Sequence, residues 1–163
     1  MVRNIKDIKG FCILPFIHLS TRTDGRMQIC CTANSDSTHD EQYIGCNRKD
    51  DGSFVELHKD RAEDYWNTKY MRTLRQGMIN GEMPNSCRKC YKEEESGYRS
   101  KRMWENDLWS EQLDFNKIVD NMSEDGVRVI LSAINKSFTY CNLRLLRDAY
   151  FMVTCSNQEL KYR

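Results

Sequence analysis

The placing of four cysteines constrains this chain more than any other feature. Cys12 and Cys30 flank Gly25 in a C-x12-G-x4-C pattern, and Cys87 and Cys90 form a C-x2-C pair further along. Four thiolates from two separated segments can enclose one tetrahedral site, either zinc or an iron–sulfur cluster. A chain that builds such a site must bring both segments together. A lone C-x2-C would say little; two pairs, one closed by a turn glycine, say considerably more. The competing reading is that these thiols are buried as small core hydrophobes.

Bulk properties narrow the setting. A length of 163 residues implies one domain with at most an appended segment. With 39% hydrophobic and 30% charged residues, the core must be concentrated in a few elements, and a bound metal would add folding free energy. Net charge is +1 with mixed signs, which marks neither a nucleic-acid nor a membrane surface. The run Phe11–Leu19 is interrupted by Pro15 and His18, unlike a signal peptide, and no stretch has transmembrane length. The expectation is a cytoplasmic protein, whose clustered thiols stay reduced and bind metal rather than pairing.

Strands are expected over Ile13–Arg22 and Arg26–Cys31 around Thr23-Asp24-Gly25, because Asp-Gly supplies the positive φ a hairpin turn needs. Such a hairpin returns Cys30 toward Cys12. Residues 32–62 are polar and read as a long loop with a short strand at Ser53–Leu57. Asn67 is expected to cap a helix running to about Asn80, with Tyr70, Met71, Leu74 and Met78 on its apolar stripe, Gly81 as its stop and Pro84 beyond. A second helix is expected from near Cys87 toward Leu108. Its first turn would put Cys87 and Cys90 on one face, where exposed N–H groups favour thiolate. Ser110 is the expected cap of a third helix burying Leu113, Ile118, Val119 and Met122, and Val127–Ile134 reads as a strand.

The motifs go beyond the cysteines. Cys12-Ile13-Leu14-Pro15-Phe16 with His18 looks like the Cys-x-x-Pro-aromatic opening of the SPASM/twitch auxiliary-cluster domains of radical S-adenosylmethionine (radical SAM) enzymes. Asp24-Gly25 followed by Cys30-Cys31 resembles their hairpin and closing pair. Arg75, Met78, Gly81-Glu82, Pro84, Cys87 and Cys90 follow in order, and Glu94, Gly97, Ser100, Arg102 and Asn106 match the polar ladder that comes next. The resemblance covers about residues 10–110. No cysteine lies between Cys90 and Cys141, so the one-cluster twitch form is the closer likeness. It implies that Cys12, Cys30, Cys87 and Cys90 ligate one [4Fe–4S] cluster and that the partner is a radical SAM core, in cis or in trans. The substrate would be a peptide or small molecule.

Residues 138–144, Phe-Thr-Tyr-Cys-Asn-Leu-Arg, resemble the opening of a radical SAM core motif, but Leu145 and Asp148 replace its next two cysteines. The resemblance therefore divides the chain into a twitch-like domain over 1–110 and a segment over 111–163 of helix, strand and irregular tail, expected as a truncated start of such a core. Whether the chain is itself an enzyme stays open, and S-adenosylmethionine would bind only if a complete core were supplied elsewhere.

Other residues carry plainer expectations. Cys31, next to Cys30 and on the opposite face of a strand, is expected as packing or an alternate ligand. Cys46, Cys141 and Cys155 are expected outside the ligand set. His18 reads as a satisfied structural histidine, and His39 and His58 as solvated. Glu93-Glu94-Glu95 reads as an exposed helix face, with a Glu94–Arg102 pair supporting the cluster loops as the alternative. Trp66, Trp104 and Trp109 read as core or cluster shielding. Gly97 reads as a glycine within a helix, either permitting close packing or tolerated at about 1 kcal/mol. The expected fold is α+β, a small antiparallel β-hairpin plus two or three helices enclosing the four-cysteine site. The rival functions are a zinc-stabilised interaction module and an N-terminal piece of an intact radical SAM enzyme. A cysteine hydrolase fits poorly, since no histidine pairs recognisably with a cysteine.

Overall fold

A computed structural model describes residues 5–18, 20–33, 43–115, 122–123 and 126–127. Helices α1 (Leu14–Ile17), α2 (Ala62–Trp66), α3 (Lys69–Ile79), α4 (Arg88–Glu95) and α5 (Lys101–Ser110) accompany two short antiparallel pairs. These are β1 (Ser20–Thr21) with β2 (Met27–Gln28), and β3 (Met122–Ser123) with β4 (Gly126–Val127). The architecture is α+β. Among the described residues no helix is long and apolar enough to cross a membrane.

The hairpin forms where Asp24-Gly25 places it, with Ser20 opposite Gln28 and Thr21 opposite Met27. Gly25 sits at φ 86°, and Asp24 Oδ1 accepts the Arg26 N–H at 3.1 Å, fixing the turn. The first strand is shorter than expected. Its proposed beginning is α1, because Pro15, in the first helical turn, supplies a helical φ and lacks only a donor the turn does not use. His18 closes that turn by donating its N–H to Leu14 O.

Residues 43–57 are not an open loop. Isolated bridges pair Arg26 with Glu56, Gln28 with Cys46 and Arg48 with Phe54, so two short passes of chain extend the hairpin. Met27, Val55 and Tyr65 make a small core beneath them. On the other face Arg22 and Arg26 stack on Tyr43, while Arg26 and Arg48 stack on Phe54, at 4.3 to 5.4 Å from the ring centroids.

Helix α3 keeps the expected stripe, with Met71, Leu74 and Met78 buried and Tyr70 half-buried. Its cap is Thr68 rather than Asn67: the Thr68 hydroxyl accepts the Met71 N–H at 3.2 Å. It ends at Gly81 (φ 89°), where Gly81 N–H donates to Met78 O and Glu82 N–H to Gly77 O, the paired bonds of a Schellman cap. The single helix expected from Cys87 toward Leu108 is two. Gly97 (φ 81°) closes α4 with the same pair of bonds, from its own N–H to Glu94 O and from Tyr98 N–H to Glu93 O. Nothing lies within 4 Å of where its Cβ would be, so it is a chain-reversing residue and serves no close packing. Ser100 then caps α5 by accepting the Met103 N–H.

Ser110 starts no helix; it ends α5, its hydroxyl donating back to Asp107 O. Met122 belongs to β3 rather than to a third helix. The expected positions of Ile118, Val119, His39, Cys141 and Cys155 lie outside the described residues, as does all but Val127 of the strand Val127–Ile134.

Two main cores meet along residues 11–14, whose side chains alternate between them. Phe11 and Ile13 join Ile5, Ile8, Phe16, Ile17 and Phe115 on one side. Cys12 and Leu14 join Ile29, Cys30, Met71, Leu74 and Met78 on the other.

Candidate metal centre

That alternation delivers Cys12 into the second core, where β2 delivers Cys30 from the far side of the hairpin. Cys87 ends the short helical turn Asn85–Cys87 and packs against the same cluster, and Cys90 lies one turn into α4. Cys12, Cys30 and Cys90 are buried and Cys87 half-buried. The four share one electrostatic neighbourhood. Burial pushes the Cys12 thiol well above its ordinary value, and negative charge on Cys30, Cys87 and Cys90 would push it further, against the Leu14 N–H. Burial likewise raises Cys87, helped by Cys30 and Cys90. For Cys30 burial again acts first and upward, opposed by the Thr32 hydroxyl and the N–H groups of Thr32 and Ala33. Among the described residues, no three or more His, Cys, Asp or Glu side chains stand at the spacing a single metal ion requires.

The loop carrying Cys12 is held by four side chains through its backbone. Tyr91, beside Cys90, donates its hydroxyl to Gly10 O at 3.0 Å. Phe11 O accepts from Arg102 Nη1 at 2.7 Å and from Asn106 Nδ2 at 3.0 Å. Asn106 Oδ1 accepts the Ile13 N–H at 2.9 Å. Arg75, fully buried, donates from Nε to Pro15 O at 2.8 Å, and burial draws its pKa down to about 9. At Gly10 (φ 87°) a Cβ would stand 2.3 Å from Glu82 O, so the loop also lies directly on the backbone that follows α3.

Glu94 is not on an exposed face; it organises these donors. It accepts from Arg102 Nε at 2.9 Å, pairs with Arg102 Nη2 and accepts the Ser100 hydroxyl. Burial works against the charge on Arg102, but Glu94 outweighs it and the Arg102 pKa is raised. The pair therefore fixes α5 on α4, and through Phe11 O fixes Cys12 relative to Cys87 and Cys90.

The remaining expectations divide. Cys31 is half-buried, and Cys46 lies buried in backbone pairing with Gln28 rather than in a polar loop. His58 is exposed beside Glu56. His18 is not satisfied: its Nε2 is buried with no hydrogen-bond partner among the described residues, and burial lowers its pKa. Trp66 is buried and Trp109 packs on the first core, but Trp104 is 56% exposed with the Arg99 guanidinium stacked on it. Sequence reading missed Thr32 and Tyr91. Both sit within two positions of a site cysteine and carry hydroxyls, the one signal that could have found them.

A groove of about 710 Å³ runs beside this region, with Tyr70, Leu74 and Ser86 in its wall and charges of both signs from Lys69, Asp50 and Glu82. No family model, curated protein or solved structure matches the chain.

Proposed function

We propose that Cys12, Cys30, Cys87 and Cys90 hold a [4Fe–4S] cluster and that the chain is a twitch-like auxiliary domain working with a radical SAM core, in cis or in trans. The observation that carries this reading is that Cys12, Cys30 and Cys87 pack in one cluster while the Thr32 hydroxyl lies near both Cys30 and Cys90, so thiols from both ends of the pattern meet in one region. The donor set suits the group, being thiols only, three buried and one half-buried, with the Thr32 hydroxyl alongside. A four-iron cluster separates its ligands more widely than one tetrahedral ion does, so thiols that couple by charge without single-ion spacing are no bar to it.

When bound, the cluster supplies electron transfer. The protein supplies the rest. Asn106, Arg102 and Tyr91 position the Cys12 loop, the Glu94–Arg102 pair sets the angle between α4 and α5, and the second core excludes water. A peptide or small-molecule substrate would use the groove along α3, whose wall reaches Ser86 next to Cys87. A reducing compartment such as the cytoplasm would keep the thiols available.

Protein purified without oxygen should contain about four irons and four sulfides per chain and be brown. The Cys87→Ala/Cys90→Ala double variant should lose both colour and iron. One zinc without sulfide would replace this reading with a zinc-stabilised interaction module. A folded protein with neither metal would end it.

A further inference from the structure

Thr32 follows Cys30 by two residues and reaches across to the other cysteine pair. Its Oγ1 lies 3.4 Å from Cys30 Sγ and 4.0 Å from Cys90 Sγ. It is thus a hydroxyl standing between a thiol of the hairpin and a thiol of α4. The turn that carries Thr32 is held by the Ala33 N–H, which donates to Cys30 O at 3.3 Å and keeps the hydroxyl beside the Cys30 sulfur. Donors aimed at a thiolate stabilise negative charge on it, and hydrogen bonds to ligand sulfur are among the few means a protein has of setting a cluster's potential. A hydroxyl has only one proton, so Thr32 can serve Cys30 or Cys90 at a given moment but not both.

We propose that Thr32 tunes the group held by the four cysteines, its hydroxyl donating to ligand sulfur at Cys30 or Cys90 and raising the reduction potential. This rests on the cluster reading above. Reduction by an added one-electron reductant increases the negative charge of the cluster by one; no bond to the protein forms or breaks and no proton is transferred. The donated hydrogen bond is stronger to the more negative state, so reduction becomes easier. Thr32 acts through Cys30 and Cys90 and is a positioning residue.

The test is a redox titration of the full chain, purified without oxygen, as wild type and as Thr32→Val, Thr32→Ser and Thr32→Ala. Iron and sulfide are measured on each sample first. Valine keeps the shape and removes the donor; serine keeps the donor and removes the methyl. The expected result is equal iron in all four, midpoint potentials shifted negative in the valine and alanine variants, and a wild-type potential with serine. If the valine variant fails to fold, the serine and alanine variants carry the same comparison. Equal potentials throughout would overturn the proposal and leave the cluster reading intact. So would a potential that follows the methyl, with serine shifted and valine not. Iron lost from valine and alanine but kept with serine would assign the hydroxyl to assembly and overturn the tuning role. Wild-type protein without iron and sulfide would overturn the cluster reading itself, and the proposal with it.

Discussion

Asn106 holds the backbone on both sides of Cys12, accepting from Ile13 and donating to Phe11 with its side chain 6% exposed. Truncation to alanine strands a buried N–H, a loss of about 2 kcal/mol. Asn106→Ala should therefore lower the urea midpoint and reduce iron retention together, whereas Asp107→Ala, on the exposed side of the same helix, should leave iron content unchanged. His18 gives a pH dependence of known sign. Burial disfavours its charged form and lowers its pKa from 6.5, opposed by Glu105 and reinforced by Lys101. The unfolded chain then binds more protons than the folded one on acidification, so stability present above pH 6.5 is lost as pH falls through the lowered pKa. His18→Gln should flatten the change in urea midpoint between about pH 7 and pH 5. At this scale the sequence marked Arg75, Glu94, Ser100, Arg102 and Asn106 and offered the Glu94–Arg102 pair, but not what Arg75, Arg102 and Asn106 hold across the molecule. Their partners are backbone groups such as Phe11 O, and a carbonyl has no letter of its own in a sequence.

Helix limits were legible where side-chain chemistry punctuates the chain. Gly81 and Pro84 marked the end of α3, and the error at its start was one residue, between Asn67 and the Thr68 that actually caps it. The break between α4 and α5 was missed because residues 87–108 read as a continuous helical pattern, and a glycine within such a pattern can be either tolerated or terminal. The conformation at Gly97 decides it, and a substitution there separates strain from packing. Gly97→Ala must hold a Cβ at φ 81° in open space, at a cost of about 1 kcal/mol; Gly97→Asn, which visits this region more readily, should cost less. Chemical denaturation of the two variants measures the difference. Gly10→Ala should be far more damaging, since its Cβ would meet the Glu82 carbonyl as well as the unfavourable φ. The first strand was misread because the apolar run of residues 11–17 fits a strand by composition, while Pro15 fits equally well in a helical first turn.

For the molecule as a whole, the α+β class followed from the turn and cap residues; the backbone clamps did not. Burial raises the thiols of Cys12, Cys30 and Cys87 above 9.0, so the metal-free protein favours their protonated form. The stability they contribute is fully present below pH 9.0 and is lost as pH rises through their folded values. On the proposed reading metal uptake would have the opposite slope, because each ligand would give up its proton. Chelator-treated protein should therefore melt at a lower temperature at pH 10 than at pH 8, while reloading with metal, on the proposed reading, becomes more favourable as pH rises. A thermal melt and a metal titration across these ranges would check both slopes. The clamps on Cys12 also set an order of events during synthesis. Asn106 lies 93 positions after the Ile13 whose N–H it accepts, and the hydrogen bond from Arg102 to Phe11 spans 91. At about 5–20 residues per second, translation needs roughly 5 to 20 seconds to cover that gap. For this interval the nascent chain carries Cys12 and Cys30 without the helices that will hold and cover them. The ribosome thus delivers two thiols early and their enclosure late, and a chaperone acting on the growing chain would meet both uncovered.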